Sequence, residues 1–237
     1  MLFAGGCVAC GGSVGAGTKA RPVNATVSRS PEPKPATSTP VPSVTHAETP
    51  SRPPSPSALP VAPGAGRLPQ TSAFPTVKSA AFKNAMHDLW LAVTTGQPRL
   101  AFPAFFPEAA YAQVKAIASP QSDWQYRLWY DFTLDVAAAH QLVGRGAKFV
   151  EVIVANEDAA WVSPGYCYNS TGYWHLPGAR VVYRQGSQLR SFGIASLISW
   201  RGDWYVIHFG AVLRSGAYGE VDDPEAGEGY PGPPGGC

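Results

Sequence analysis

Apolar residues recur at helical spacing near residue 80 and at strand spacing in the second half of the chain. In the stretch AFKNAMHDLWLAVTTGQP, apolar side chains lie three or four positions apart, at Phe82, Met86, Leu89 and Val93. Gly96 and Pro98 follow as helix-stopping residues, so the pattern predicts an amphipathic helix over residues 79–95. After two further prolines, the segment EAAYAQVKAIA predicts a short second helix.

The periodicity changes from Trp124 onward. In YRLWYDFTL, every second residue from Leu128 to Leu134 is large and apolar, which predicts a β-strand. Asp135 is then placed to cap a short helix, VAAAHQLV, that ends at Gly144. The later segments predict mostly strands: KFVEVIVA, AAWVS, ARVVYRQ, LRSFGIASLISW and DWYVIHFGAVL. Residues 201–203 (Arg-Gly-Asp) separate the last two; this position predicts a tight turn and disfavours the alternative, an adhesion motif.

This order of elements and the distribution of proline define the domains. Helices followed by an antiparallel meander predict an α+β fold in which helices cover one face of a sheet. Residues 21–70 hold 13 of the 24 prolines and no aromatic residue, so they predict a disordered, semi-stiff tether. The folded domain is expected over residues 71–218. Residues 219–237 are acidic and rich in glycine and proline, which predicts an irregular tail.

Charge and motifs exclude several function classes. The net charge is +2 and no dense cluster of lysine and arginine occurs, so nucleic acid is not an expected partner. No apolar run approaches the ~18 residues that a membrane span needs. The sequence contains no Ser-His-Asp order with a GxSxG elbow, no phosphate loop and no GxGxxG after a strand, which disfavours covalent hydrolase and nucleotide chemistry. We expect neither a cofactor nor a metal.

Two cysteines lie close to the first residue, in MLFAGGCVACGGS. Zinc and redox sites are disfavoured because the chain has no second CxxC, no paired histidines at ligand spacing and no βαβ pattern. Small residues precede both Cys7 and Cys10, as in a bacterial lipobox, where the cysteine receives a lipid. Residues 1–20 therefore predict a truncated signal and lipobox region. The short upstream stretch leads to the hypothesis that translation begins before Met1.

Cysteine parity helps to choose the lipidated residue. If Cys10 is the attachment site, Cys7 leaves with the signal, and Cys167 and Cys237 remain as an even pair. An exported compartment permits disulfides, and a bridge would tie down the tail. We therefore predict a Cys167–Cys237 disulfide and favour Cys10 over Cys7 as the lipid attachment site.

The order of elements, with TTGQPRLAFPAFFPEA as a helix–turn–helix entry, resembles the NTF2-like (cystatin-like cone) superfamily. The stretch from LWLAVTTGQP to SFGIASLISWRGDWYVIHFG is also similar to uncharacterised exported proteins of high-GC Gram-positive bacteria. The resemblance implies a pocket between the sheet and the long helix, as in ketosteroid isomerases and polyketide cyclases. Residues that could project into it are Asp131, Asp135, His140, Tyr183 and His208. Of these, Asp131 and His208 are the catalytic candidates, although an ordinary structural role is favoured for each.

A second candidate surface lies in GYCYNSTGYWHLPGAR. Its aromatic residues could form a ligand- or partner-binding patch, or they could pack onto the core: Tyr166, Tyr168, Tyr173 and Trp174. The leading interpretation is an exported lipoprotein, anchored on the outer face of the cell membrane, whose α+β domain binds a small apolar ligand or an envelope partner. The alternatives are a cyclase- or isomerase-type enzyme and a purely structural interaction module.

Overall fold

A computed structural model describes residue 64, residues 66–210, residue 214, residues 216–233 and residues 235–236. Cys7, Cys10 and Cys237 lie outside the described residues, as does nearly all of the predicted tether. None of the helices in the described ranges is long and apolar enough to cross a membrane.

The first helix confirms the expectation from helical spacing. Helix α1 covers Ala80–Thr95, and the Ser79 hydroxyl caps it by accepting a hydrogen bond from the Phe82 amide at 3.0 Å. Gly96 ends the helix with φ 64°, a left-handed conformation that glycine adopts without strain. After a 3₁₀ turn at Pro98–Ala101, helix α2 covers Glu108–Val114, so the predicted second helix is confirmed in a shorter form.

The strand predicted between Leu128 and Leu134 is wrong, because this segment is helical. Helix α3 (Pro120–Asp123) runs through a π-helical turn at Trp124–Leu128 into helix α4, Trp129–Val143. Two-residue and four-residue spacing coincide at Leu128 and Phe132, so a short window fits both periods. Over the longer window the buried residues follow a helical period: Trp124, Leu128, Phe132, Val136, Ala139 and Val143.

Six antiparallel strands form one curved sheet. The strands are β1 (Lys148–Ile153), β2 (Ala160–Val162), β3 (Tyr173–Gln185), β4 (Gln188–Trp200), β5 (Asp203–His208) and β6 (Asp222–Ala226). The long β3–β4 hairpin is central; β1 and β2 pair with successive parts of β3, while β5 and β6 pair with successive parts of β4. The Arg-Gly-Asp triplet forms the β4–β5 turn with φ 53° at Arg201 and 87° at Gly202, which confirms the predicted turn.

The two faces of the sheet are covered differently. On one face, helix α1 packs Trp90 against Tyr183 with ring centroids 5.7 Å apart, and helix α4 packs Phe132 against Phe209 at 5.6 Å. On the opposite face, Phe74, in the segment before α1, packs against Trp174 at 4.9 Å. The fold is therefore α+β, with helices on one face of the sheet and the segment before α1 in contact with the other.

The segment after residue 219 was expected to be irregular, and this is wrong for β6. Asp222 and Glu225 pair with residues of β4, and the buried guanidinium of Arg180 binds the Asp223 carbonyl oxygen at 2.8 Å. Further along, the Gly232 amide donates to the Gly178 carbonyl at 3.1 Å. Backbone pairing with β4 and the buried guanidinium of Arg180 thus order residues 222–226, although the composition of this segment is typical of an irregular tail.

Candidate functional site

A cavity of about 280 Å³ lies between the helices and the helix-facing side of the sheet. Helix α2, the residue after it and the π-helical turn supply one wall, and strands β3, β4 and β5 supply the other. The lining residues are Tyr111, Val114, Lys115, Arg127, Leu128, Tyr173, His175, Ser196, Ile198, Ile207, His208 and Gly236. The volume lies just below the range of about 300–1,000 Å³ that is typical of ligand pockets.

The helical wall carries two cations and a hydrogen-bonded carboxylate. Arg127 donates through Nε and Nη2 to the Asp123 carboxylate, at 2.7 and 2.6 Å, and through Nη2 to the Tyr111 hydroxyl at 3.2 Å. The Tyr111 hydroxyl in turn donates to Asp123. Lys115 Nζ donates to the Cys167 carbonyl at 3.1 Å. These contacts fix the direction of both cationic side chains.

The protonation states on this wall follow from burial and hydrogen bonding. Burial, and then the hydrogen bond to Asp123, raise the pKa of Tyr111, so it is a neutral phenol at pH 7. Burial works to raise the pKa of Asp123, but the hydrogen bonds from Arg127 and Tyr111 lower it on balance, so the carboxylate is ionised. Burial also lowers the pKa of Lys115.

The sheet wall carries two histidines. His175 Nε2 lies 2.8 Å from Ser196 Oγ, and His175 Nδ1 accepts a hydrogen bond from the Gly236 amide at 3.1 Å. Since Nδ1 is an acceptor, Nε2 carries the proton and donates to the serine hydroxyl. Burial lowers the pKa of His175, in agreement with a neutral ring. The segment after β6 thus reaches the rim of the cavity.

His208 faces the cavity because of a β-bulge. Simple alternation along β5 would place His208 on the same side as Trp204 and Val206. A register shift between Ser196 and Leu197 pairs Leu197 with Val206 but Ser196 with His208, and both Ile207 and His208 line the cavity. Bulges commonly redirect a side chain next to a functional site.

The His208 ring is neutral and has spare hydrogen-bonding capacity. Burial lowers its pKa from 6.5 to about 3, and the positive charges of Arg127, Arg214 and Lys115 add to this effect. The ring makes no hydrogen bond with any residue that the structure describes. At neutral pH it can donate one hydrogen bond and accept one, but it is a weak general base.

The other predicted pocket residues lie outside the cavity lining. Asp131 lies on the partly exposed side of α4, and Tyr183 is buried in the core. Asp135 is in the middle of α4, so its expected role as a cap is wrong; its carboxylate instead pairs with Arg214. His140 Nδ1 lies 2.8 Å from the Val93 carbonyl oxygen, joining α4 to the end of α1.

The predicted aromatic patch is divided among three environments. Tyr166 and Tyr168 are 66% and 80% exposed. Tyr173 is buried and lines the cavity, where its hydroxyl accepts a hydrogen bond from the Asn169 amide at 3.1 Å. Trp174, the next residue on β3, points to the opposite face and packs against Phe74 and Trp161. The four residues therefore do not form one surface.

The predicted disulfide is described at one end only. Cys167 is a disulfide-bonded cysteine, but Cys237 lies outside the described residues, so the Cys167–Cys237 pairing stays a prediction. Within the part of the chain that is described, no group of three His, Cys, Asp or Glu residues could hold a metal ion.

Comparison with known proteins gives no relative. No family model matches the chain, and neither the curated proteins nor the solved structures contain a significant match. The geometry of the cavity is therefore the basis for assigning a function.

Of the residues that the sequence singled out, His208 was a pocket candidate and Tyr173 belonged to the predicted aromatic patch; both line the cavity, and most of the other lining residues were missed. Tyr111, Lys115 and Leu128 carry no motif, and their convergence depends on the continuous helix over residues 120–143. His175 and Ser196 lie on the same face of paired strands, a relation that the β3–β4 hairpin register gives once the turn is located. The alternation of side chains along these two strands was the signal in the sequence that could have placed His175 and Ser196 together.

Proposed function

We propose that this chain is an exported protein, anchored to the membrane by a lipid, whose NTF2-like domain binds a small ligand. The observation that carries the ligand-binding part is the cavity of about 280 Å³ on the helix-facing side of the sheet. Its walls combine aliphatic side chains with hydrogen-bonding groups, a composition that both holds and orients a small molecule. Binding is favoured over catalysis because burial lowers the pKa of both histidines that line it, His175 and His208, which makes them weak bases.

Ligand binding can be tested by titrating the purified protein with octanoate and octanamide and following its amide NMR signals. We expect at least one probe to give saturable shifts at residues that line the cavity. Ile198→Trp and Ile207→Phe, which fill it, should abolish them. Val150→Trp, at an exposed position of β1, is the matched control. If neither probe binds at millimolar concentration, or if both filling variants fold and still bind, the ligand-binding proposal is wrong.

The lipid anchor rests on the sequence around Cys7 and Cys10 alone. It can be tested by expressing the gene with its upstream codons in a Gram-positive host and partitioning the cells with detergent. Cys10→Ser should move the protein from the detergent phase to the aqueous phase, whereas Cys7→Ser should not. A protein that partitions into water without either substitution is not lipidated.

A cyclase- or isomerase-type enzyme is the second candidate, and one observation favours it: His208 lines the cavity. Asp131, the other catalytic candidate, is not among the lining residues. With a pKa of about 3, His208 would serve such an enzyme as a neutral hydrogen-bond donor rather than as a base. Loss of turnover of a cyclic ketone in His208→Phe, with retained binding, would support this candidate.

A further inference from the structure

The cavity contains cationic hydrogen-bond donors that the fold leaves unused. Arg127 binds Asp123 and Tyr111 through Nε and Nη2, and its Nη1 has no partner among the described residues. Lys115 uses one of its three N–H groups on the Cys167 carbonyl, and it forms no salt bridge in the described part of the chain. A bound group that accepts several hydrogen bonds would satisfy these donors.

The charge on the helical wall favours one negative charge. Lys115 and Arg127 are positive and Asp123, which binds Arg127, is negative, so these three groups together carry a net charge of +1. The charge of Asp131 also acts on Arg127, but Asp131 lies on the partly exposed side of α4 and is not among the lining residues. The described lining residues include no carboxylate. The electrostatic effect of Lys115 and Arg127 on His208, across the cavity, shows that their positive potential reaches the sheet wall.

The rest of the lining suits an apolar body. Four aliphatic side chains line the cavity: Val114, Leu128, Ile198 and Ile207. They bury apolar surface of a ligand without competing for its polar end. His175 and Ser196 already bind each other, which leaves the two cations of the helical wall and the neutral His208 ring opposite them as the polar groups with unused hydrogen-bonding capacity.

From these three observations we infer that the ligand is a small amphiphilic carboxylic acid, whose carboxylate binds Lys115 and Arg127 and whose apolar chain contacts the aliphatic residues. This inference rests on the proposed ligand-binding function and adds the chemical class of the ligand. Carboxylates form charge-assisted hydrogen bonds with both cation types, and these are stronger than hydrogen bonds between neutral groups. A neutral ligand would leave the net charge of +1 uncompensated.

The test compares octanoate with octanamide, which has nearly the same shape but no charge, by isothermal titration at pH 7. We expect octanoate to bind at least about tenfold more tightly, because the charge-assisted hydrogen bonds are lost with the amide. Lys115→Met should reduce the acid-to-amide affinity ratio to near one while octanamide binding stays unchanged. Lys83→Met, at an exposed position on α1, is the control and should preserve the ratio.

Two further measurements keep the inference testable if Lys115→Met does not fold. Arg127→Met removes the second cation and should also lower the ratio. With the unmodified protein, added sodium chloride should weaken octanoate binding and leave octanamide binding unchanged. If both probes bind with equal affinity, the inference about charge is wrong but ligand binding stands. If neither binds, ligand binding itself is wrong.

Discussion

Two aspartates on the helical run from residue 120 to residue 143 each pair with an arginine, and the two pairs differ in burial. In the Asp135–Arg214 pair, the side chains are 1% and 6% exposed. In the Asp123–Arg127 pair, the corresponding values are 23% and 46%. The Asp135 carboxylate also accepts hydrogen bonds from the Gly210 and Glu220 amides, at 2.8 and 2.9 Å.

The difference separates a structural pair from a binding pair. Asp135 joins α4 to the chain after β5 through several buried hydrogen bonds, and its partners among the described residues are internal to the fold. The Asp123 carboxylate binds Nε and Nη2 of Arg127 and leaves Nη1 without a partner among the described residues, on a side chain that lines the cavity. The same two residue types thus stabilise the fold in one place and offer a positive charge to the cavity in the other.

The largest effect should come from removing the buried carboxylate. Asp135→Ala removes the buried carboxylate that binds Arg214 and two backbone amides, and we expect it to lower the free energy of unfolding by about 3–5 kcal/mol. The measurement is urea-induced unfolding followed by tryptophan fluorescence. Asp131→Ala, one turn earlier at a partly exposed position, is the control and should change it by less than about 0.5 kcal/mol. Equal effects of the two substitutions would show that Asp135 is not a structural anchor.

An intermediate effect concerns the neutral histidine of the cavity. The unfolded chain protonates His208 near pH 6.5, whereas the folded protein does so only near pH 3. Its contribution to stability is therefore complete above pH 6.5 and is lost as the pH falls toward 3. Between pH 7 and pH 5 this loss amounts to about 2 kcal/mol.

The check is to measure unfolding at several pH values between 7 and 5 in two variants. His208→Asn should lose about 2 kcal/mol less than the unmodified protein over this range. His87→Asn, at an exposed position on α1, should keep the original pH dependence. An unchanged slope in His208→Asn would mean that folding does not lower the pKa of this ring.

These residues also show what the sequence could predict. The strands after residue 148, the Arg-Gly-Asp turn and helix α1 follow from local periodicity and turn residues, which are visible in short windows. The segment from Leu128 to Leu134 fits helical and strand spacing equally well over seven residues, and only packing over the longer helix decides between them. The strand prediction includes Arg127 and Leu128, so it places two of the lining residues of the cavity on the wrong kind of element.

The sheet side of the cavity depends on a second non-local feature. Alternation along β5 predicts the wrong face for His208, because the bulge opposite Ser196 and Leu197 adds a residue to the count. The sequence of β5 contains no glycine or proline that would predict this bulge. Likewise, the sequence of β6 contains a proline and three acids, yet Arg180 on β3 and the free edge of β4 make it a strand.

The smallest effect on stability, and the sharpest contrast with Asp135, should come from Asp123→Asn. This pair is partly exposed, so its loss should cost at most about 1 kcal/mol in urea unfolding. The amide keeps an acceptor for Tyr111 but removes the negative charge, which raises the net charge of the Lys115–Arg127 wall from +1 to +2. We therefore expect octanoate to bind several-fold more tightly and octanamide to bind as before. If octanoate binding weakens instead, Asp123 contributes by positioning Arg127, and its geometry matters more to the cavity than its charge.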